Sequence, residues 1–329
     1  MPRPDPSLPP ELHVVFGAGQ VGRRLARELL ALGHSVRLAR RGPPGPALPG
    51  LRWLSGDATD PLFAGEACRG ADVVYDCTNP PDYHRWDELL APLRRGIREA
   101  AARAGARLVA LDCLYMYGRP ATSPFDEDAP LAPCSHKGEL RALLALELLE
   151  AHARGDLRAT TGRASDFFGP GAGAAALLGD RLAARLRAGK PFEAFGDPDL
   201  PHAYSYVADV ARGLAVLGTH DAALGRAWHL PVAWTGSTRG LVEAIGAALG
   251  RPARLRAVPD WLLRVGGLLD PTLGAVAEMT YQWKVPYVPD DRRFRAAFGV
   301  GPTPAAEAVT ATARAIVEGE APARSPKAA

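Results

Sequence analysis

Cysteine is scarce in this sequence, and no two cysteines are closely spaced. The chain of 329 residues has four of them, and none forms a CxxC motif. Closely spaced Cys and His ligands are typical of structural zinc sites, and small secreted domains use disulfide frameworks. We therefore predict no metal site and reduced thiols, as in a cytoplasmic protein.

Long apolar runs and an excess of one charge are also lacking. No run of about 18 apolar residues is present, so we expect no membrane span. The 39 Lys and Arg residues and 36 Asp and Glu residues leave a formal net charge of +3, and the arginines are scattered. This balance does not predict a nucleic-acid partner. The first residues, MPRPDPSLPPEL, carry prolines where a signal peptide would need an apolar core.

What the sequence does contain is an alternation of short apolar runs with helical stretches. Up to about residue 168, strand-like runs such as HVVF, SVRLAR and ADVVYDC alternate with amphipathic helices. This order predicts an α/β fold with a doubly wound parallel sheet covered by helices on both faces. We assign residues 1–10 to a disordered Pro-rich tail and residues 11–168 to the main domain. Residues 169–329 form mostly a smaller, mainly helical part, with segments near 204–232 returning to the main domain.

One glycine motif indicates a nucleotide. The sequence GAGQVG places Gly17, Gly19 and Gly22 directly after a strand and at the start of a helix. In this context the first glycine permits a tight turn, the second lets a pyrophosphate approach the backbone, and the third lets the helix pack on the strand. Gln20 and Val21 complete the turn at the helix N-terminus, which favours negative charge. We therefore predict that residues 11–168 form a Rossmann-type dinucleotide-binding domain.

The end of the second strand favours NADP(H). A site for NAD(H) usually has Asp or Glu about 20 residues after the glycines, where it holds the ribose 2′-hydroxyl. This chain has Arg40 and Arg41 there and no acid nearby. A guanidinium group can donate two parallel hydrogen bonds to phosphate oxygens, so arginines at this place suit a 2′-phosphate. Two solvated surface arginines, with NAD(H) as the cofactor, are the alternative.

Six segments follow one another in a recognisable order: GAGQVG, GDATD, YDCTNP, LYMYG, GRASDFFGPG and YSYVADVARGL. In this order they resemble the extended short-chain dehydrogenases/reductases, the NAD-dependent epimerase/dehydratase group. The resemblance covers nearly the whole chain. It implies that Asp57 and Ala58 lie at the adenine of the cofactor and that Cys77, Thr78 and Asn79 lie near its ribose.

The resemblance also implies a catalytic set that this chain lacks in part. In that family a strand-end Ser or Thr and a Tyr four residues before a Lys carry the chemistry. The Lys holds the nicotinamide ribose, and its charge favours the phenolate of the Tyr, which transfers the proton. Here Lys137 is present, but Pro133 stands four residues before it and Cys113 takes the place of the Ser or Thr. We predict an atypical member with a different proton donor.

Four side chains are candidates for the missing donor. Strand residues alternate in direction, so Tyr115 would face the cofactor if Cys113 does, and Tyr115 is our first candidate. Tyr117 is the second, and Ser135 and His136 at the helix start are further candidates. A place in the pocket wall is the alternative for Tyr115, and a solvated place is the alternative for His136. Cys113 itself could act as a nucleophile if its surroundings lowered its pKa.

The resemblance places the substrate outside the carboxyl ends of the strands. The predicted lining combines aromatic and polar groups and consists of Tyr83, Trp86, Tyr117, Asp166, Phe167 and His202. Such a mixture is typical of a site for a small or medium organic molecule. Packing between domains is the alternative for Trp86 and Phe167.

These features lead to three functional hypotheses. The first is an NADP(H)-dependent oxidoreductase that acts on a small carbonyl, alcohol or sugar-like substrate. The second is an NAD(P)-dependent epimerase or dehydratase, and the third is a non-catalytic NADP(H) sensor. We favour the oxidoreductase, with a small-molecule substrate and no nucleic-acid or membrane partner. A homodimer is left as an open expectation.

Overall fold

The described part of the chain, residues 10–319 of this computed structural model, is built around a parallel sheet. The strands are β1 (Leu12–Phe16), β2 (Ser35–Arg40), β3 (Leu51–Ser55), β4 (Val73–Asp76), β5 (Arg107–Asp112), β6 (Arg158–Arg163), β7 (Asp166–Phe168), β8 (Phe192–Ala194), β9 (Tyr204–Tyr206), β10 (Ala227–His229) and β11 (Leu255–Ala257). The helices are α1 (Gly22–Ala31), α2 (Pro61–Cys68), α3 (Trp86–Arg103), α4 (His136–Ala153), α5 (Asp180–Arg187), α6 (Val207–Thr219), α7 (Thr238–Ala248), α8 (Asp260–Leu269), α9 (Pro271–Met279), α10 (Arg292–Phe298) and α11 (Ala305–Glu318).

Seven of these strands form one sheet in the order β10-β6-β5-β4-β1-β2-β3. Neighbouring strands run parallel, so that Val14 lies between Arg37 of β2 and Val74 of β4. The chain moves outward in one direction from β1 to β3 and in the other from β4 to β10. Ligands of such sheets bind outside the carboxyl ends at the point of reversal, here between β1 and β4. This is the Rossmann-type α/β fold that the sequence predicted.

Apolar side chains on both faces hold the sheet between its helices. Val14 and Phe16 point to one face and Val15 points to the other, and each is at most 1% exposed. Helices α1 and α6 cover the Val15 face, while α2, α3 and α4 cover the opposite one. Burying a side chain of this size stabilises the fold by roughly 1.5–3 kcal/mol, so both layers are needed.

The later part of the chain packs a second core beside the main sheet. Leu182, Leu241 and Ile245 lie at its centre, on α5 and α7, and α11 also contributes to it. Two short parallel pairs, β7 with β9 and β8 with β11, border this core. Between β9 and β11 the chain returns to the main sheet, where α6 packs on a face and β10 pairs with β6. The domain limits given above stay predictions.

The strands differ from the sequence prediction at two places, and one further prediction falls mostly outside the described residues. The sequence reading did not single out β3, whose residues are half-exposed rather than continuously apolar. Strand β5 ends at Asp112, before Cys113, and Tyr115 begins a separate turn of 3₁₀ helix. The alternation that placed Tyr115 on the strand therefore does not apply. The predicted tail of residues 1–10 lies, apart from residue 10, outside the described residues.

Within residues 10–319, no helix combines the length and the apolar character that crossing a bilayer requires.

Candidate active site

The turn after β1 is shaped by backbone contacts that only glycine allows. Gly17 has a φ of 96°, and its N–H donates to the carbonyl of Ala39 at 3.0 Å. A Cβ at Gly17 would lie 2.6 Å from the carbonyl oxygen of Cys77, and one at Gly22 would lie 1.9 Å from the oxygen of Gly17. These two glycines let β1, β4 and α1 approach one another, as the sequence motif predicted.

Gly19 stands apart from the other two glycines, because a Cβ there would meet no protein atom within 4 Å. The open space lies at the N-terminal end of α1, where backbone N–H groups and the helix dipole favour a phosphate. Val21 is buried in the core at 3% exposure, so only its backbone can face that space. The turn thus fits a dinucleotide pyrophosphate.

A cluster of arginines lies at the end of β2. Arg40 is half-buried and Arg41 is exposed, and sequence reasoning overlooked a third member, Arg23, on the first turn of α1. Burial and the positive charges of Arg40 and Arg27 lower the pKa of Arg23. In the part of the chain that the structure describes, neither Arg23 nor Arg40 has a carboxylate partner. An unbalanced cluster of this kind suits a phosphate group. The signal for Arg23 was its position directly after the glycine motif.

The residues expected at the adenine and the ribose lie at the same sheet edge. Asp57 follows β3 and accepts hydrogen bonds from the N–H and hydroxyl of Thr59, both at 2.9 Å, while Ala58 is buried. Beyond β4, Thr78 donates its N–H and hydroxyl to Asp76 at 2.9 and 2.5 Å. Burial raises the pKa of Cys77, so its thiol stays protonated beneath the glycine turn.

A buried arginine, also unforeseen from the sequence, joins the ends of β4 and β5. The guanidinium of Arg141 donates to Asp112 at 2.9 Å and to the side-chain oxygen of Asn79 at 2.5 Å. It lies 4.5 Å from the ring of Trp86. Asp112 also accepts the N–H of Cys113 at 2.9 Å, which turns the chain at the end of β5. The signal was the spacing of Arg141 one helical turn after Lys137.

Lys137 is buried at the start of α4 and has an acidic partner. The hydroxyl of Ser135 caps the helix by accepting the N–H of Gly138 at 3.1 Å. Glu278, at the end of α9, accepts the N–H of Lys137 and pairs with its Nζ, both at 3.0 Å. Nothing in the sequence pointed to Glu278, which comes from the smaller part of the molecule. Lys137 Nζ also lies 5.0 Å from the ring centre of Tyr83.

Two tyrosine hydroxyls meet beside this lysine. Tyr83, in a 3₁₀ turn before α3, donates to the hydroxyl of Tyr115 at 3.3 Å. Gly138 brings the Tyr115 turn close to α4, since a Cβ at Gly138 would lie 2.7 Å from the carbonyl oxygen of Tyr115. Burial raises the pKa of Tyr115 well above its usual 10, and burial also raises the pKa of Tyr83. Both hydroxyls therefore carry their protons at neutral pH.

The other proposed catalytic groups have different surroundings. Burial raises the pKa of the Cys113 thiol to about 12, so the neutral thiol predominates at pH 7 and a nucleophilic role is not favoured. His136 is exposed and pairs with Asp87 at 3.0 Å. Pro133, four residues before Lys137, is half-buried and packs against the first turn of α4.

The predicted substrate residues divide into two groups. Tyr83 is a member of the tyrosine pair, and the ring centre of Trp86 lies 4.7 Å from that of Tyr83. Asp166 binds His202 Nε2 at 2.7 Å and is close enough to influence both tyrosines.

Two other predicted lining residues pack inward. Tyr117 is 1% exposed, and its hydroxyl is bonded to Arg163 at 2.5 Å and to His229 Nε2 at 2.8 Å. Phe167 packs against the main core. Tyr117 has core contacts instead of a free face, whereas Phe167 is half-buried, and the assignment of both to the substrate lining stays an untested prediction.

Comparison with known proteins follows this geometry. Residues 13–230, more than half of the chain, match the model of the NAD dependent epimerase/dehydratase family. Among curated proteins none matches the sequence.

Solved structures with the same fold include a double mutant of the dTDP-glucose 4,6-dehydratase DesIV from Streptomyces venezuelae, with NAD and DAU bound. It has a TM-score of 0.76 and 20% identity, covering 94% of this chain and 97% of that one. The epimerase Mth375 from Methanothermobacter thermautotrophicus has a TM-score of 0.77 and 19% identity over 94% and 93% of the two chains. WbmH from Bordetella bronchiseptica, in complex with NAD+, has a TM-score of 0.71 and 18% identity over 94% and 99%. The match to the family model shows that the chain belongs to the NAD-dependent epimerase/dehydratase family and is an NAD(P)-dependent enzyme.

Proposed function

We propose that this protein is an NADP(H)-dependent oxidoreductase that reduces the carbonyl of a small or sugar-like substrate, with Tyr115 as the proton donor. The observation that carries the proposal is the contact of the Tyr83 and Tyr115 hydroxyls, 3.3 Å apart, beside Lys137. The ring of Tyr83 lies next to the lysine, and its hydroxyl links that place to Tyr115, a tyrosine from a segment other than the one where the family resemblance places it. A general acid needs the right position and protonation state, and its place in the sequence is free to vary.

The nucleotide would be held by this chain at three places. The turn of Gly17, Gly19 and Gly22 leaves room for the pyrophosphate at the N-terminus of α1. Arg23, Arg40 and Arg41 would bind the 2′-phosphate, and Lys137 would bind the nicotinamide ribose. When bound, the nucleotide supplies the hydride. The preference for NADP(H) over NAD(H) rests on the arginine cluster, which has no acid to hold a free 2′-hydroxyl.

The protein's own contribution is a protonated hydroxyl in a buried place. Because burial raises the pKa of Tyr115 well above 10, the hydroxyl is protonated at neutral pH and holds its proton more tightly than a free tyrosine does. As the proton leaves, the hydroxyl of Tyr83 donates to the developing phenolate and stabilises its charge. The ammonium of Lys137 lies 5.0 Å from the centre of the Tyr83 ring. These groups favour reduction of a carbonyl at neutral pH.

A second candidate, an epimerase or dehydratase, is favoured by one observation. The pair of His202 and Asp166, with 2.7 Å between Nε2 and the carboxylate, lies near the tyrosines and offers another proton-transfer group. Reactions at a substrate carbon need such a base in addition to the group at the oxygen. Two of the structural neighbours are described as a dehydratase and an epimerase, which supports this alternative. A homodimer and a cytoplasmic location stay predictions.

The experiment that tests the proposal is a fluorescence titration with NADPH and with NADH, followed by a panel of aldehydes, ketones and nucleotide sugars. Tighter NADPH binding and net NADPH consumption with a carbonyl would support the oxidoreductase. Substrate conversion in deuterated water without net NADPH consumption would favour the epimerase or dehydratase instead. Nucleotide binding without any turnover would point to the sensor hypothesis, and absence of binding would contradict all three.

A further inference from the structure

A cluster of two imidazoles and a carboxylate lies at the sheet edge opposite the nucleotide crevice. Glu11 directly precedes β1, His13 is in β1, and His34 lies between α1 and β2. Glu11 Oε2 is 3.2 Å from His13 Nε2 and 4.0 Å from His34 Nδ1. The ligand atoms of all three side chains lie within 4.8 Å of one another.

The imidazole of His34 has a buried nitrogen, Nδ1, that makes no hydrogen bond within residues 10–319. The side chain of His34 is 7% exposed, and Nδ1 faces the carboxylate of Glu11 from 4.0 Å. A buried polar atom without a partner destabilises the fold, so its presence calls for an explanation.

The other ring of the cluster is held from behind. His13 is fully buried, and its Nδ1 lies 3.1 Å from the hydroxyl of Tyr75, which leaves Nε2 directed at Glu11. A hydrogen bond from the second ring nitrogen is typical of metal-binding histidines, because it fixes the tautomer and the direction of the ligand atom. The two imidazoles are packed together, with ring centres 4.2 Å apart.

We propose that Glu11, His13 and His34 form a binding site for Zn²⁺ with a fourth position open to solvent. Two imidazoles and one carboxylate are a common ligand set for this ion. Ligand atoms about 2.0–2.1 Å from a tetrahedral zinc ion are roughly 3.3 Å from one another. The distances of 3.2 and 4.0 Å from the Glu11 oxygen bracket that value, so small side-chain rotations would close the site. Glu11 is 38% exposed, which gives the ion an entry path and a water ligand.

The surrounding charges do not occupy the site. Asp72 accepts the N–H of Leu12 at 2.8 Å and adds negative charge near His34. Arg107 influences Glu11, but its guanidinium is bonded to Asp221 at 2.7 Å and to the carbonyl of Gly218 at 2.6 Å. The sequence prediction of no metal site rested on the absence of paired Cys and His motifs. Glu11 and His13 are near neighbours in the sequence, and only the fold brings His34 beside them.

The bound ion would tie the start of β1 to the turn before β2, beneath the glycine turn at the other end of the same strand. If the cluster binds no metal, Glu11 and His13 form a hydrogen bond, and the ring of His34 lies tilted beside that of His13. Only the metal site predicts tight, stoichiometric binding that depends on His34.

The test is a titration of the purified full chain with Zn²⁺ in competition with a chromophoric chelator, with and without NADPH. We expect one ion per chain, unaffected by NADPH, and an affinity that falls at least about tenfold in His34→Asn and in Glu11→Ala. The control His84→Gln removes an exposed imidazole elsewhere and should bind as wild type. Thermal melting in increasing Zn²⁺ should stabilise wild type and the control but neither ligand variant.

Two results would overturn the proposal: no binding by the wild type, or an unchanged affinity in either ligand variant. Because Glu11 is partly exposed, Glu11→Ala keeps the test decisive if His34→Asn fails to fold.

Discussion

The two ends of the nucleotide crevice belong to one sheet edge but follow the family pattern to different degrees. At the glycine turn, Gly17 and Gly22 stand where the pattern requires them, and each is fixed by contact with a backbone carbonyl. At the start of α4 only Lys137 follows the pattern. Pro133 stands at the tyrosine position, the ring centre of Tyr83 lies 5.0 Å from Lys137 Nζ, and the hydroxyl of Tyr83 contacts that of Tyr115.

The difference shows which kind of requirement tolerates rearrangement. A backbone that must approach another backbone within a few ångströms has no substitute for glycine, because any Cβ would collide. A proton donor needs a hydroxyl at one point in space, which different chain segments can supply. We therefore expect substitutions at the glycine turn to remove the nucleotide and substitutions at the tyrosine pair to affect turnover alone.

The largest effect is expected at Gly19, where the protein leaves room that only the nucleotide would fill. Apart from its chain neighbours, a Cβ at Gly19 would meet no atom of the described residues within 4 Å, so we expect Gly19→Val to fold and melt as wild type. Its isopropyl group would exclude the pyrophosphate, and NADPH affinity should fall at least about 100-fold in a fluorescence titration. Gly65→Val, at another open position, is the matched control. Wild-type affinity in Gly19→Val would place the nucleotide elsewhere.

Acid should destabilise the packing around the buried His229, which contacts the hydroxyl of Tyr117. Burial, then the charge of Arg163, lowers the pKa of His229 to about 3, against about 6.5 in the unfolded chain. Between these values the unfolded state binds more protons, so stability is lost as the pH falls below about 6.5. From pH 7 to 5 the free energy of unfolding should fall by about 2 kcal/mol.

Urea unfolding of wild type and His229→Asn at both pH values isolates this contribution, because every other titrating group is common to both proteins. The acid-induced loss should be about 2 kcal/mol smaller in the variant. An equal loss in the two proteins would show that His229 is not a buried neutral imidazole.

Cofactor discrimination should depend on the arginine cluster. Arg40→Ala should weaken NADPH binding about tenfold or more and leave NADH binding unchanged, because only NADPH carries the 2′-phosphate. Arg52→Ala, which removes an exposed arginine from the neighbouring strand, serves as the control. An equal loss for both nucleotides would assign Arg40 a general role in the fold.

The smallest effect concerns the ion pair between Lys137 and Glu278. Glu278→Gln should lower the free energy of unfolding by about 1–2 kcal/mol without nucleotide, because the buried ammonium loses its counter-charge. Saturating NADPH should restore part of that loss if Lys137 then holds the ribose. Glu88→Gln, which breaks an exposed pair with Arg85, should leave the free energy of unfolding close to that of wild type. Chemical denaturation with and without NADPH measures both effects.

Much of the cofactor half of this fold follows from local sequence. The motif from Gly17 to Gly22 lies within one strand–turn–helix unit, and its spacing alone predicts where each glycine is needed. Helix α4 and the buried place of Lys137 also follow from nearby residues. The strand β3 was missed because its pattern, LRWLS, mixes exposed and half-buried positions.

The catalytic half depends on contacts that sequence proximity does not reveal. Glu278 reaches Lys137 across 141 residues, and Tyr83 meets Tyr115 across 32. Tyr115 was the predicted donor because we expected β5 to continue past Cys113. The strand ends at Asp112, whose carboxylate binds the next N–H, and the following turn brings Tyr115 to Tyr83 instead. The role of Tyr115 stays a prediction.

The most direct test of the central claim compares Tyr115→Phe with Tyr204→Phe. Tyr204 is fully buried, and its hydroxyl is bonded to Thr238 at 2.7 Å. NADPH affinity and the turnover of a carbonyl substrate are measured in both variants. We predict that Tyr115→Phe keeps wild-type NADPH affinity and loses at least about tenfold in turnover, as removal of a general acid requires, while Tyr204→Phe changes neither. Wild-type turnover in Tyr115→Phe would contradict the claim that this tyrosine replaces the missing proton donor.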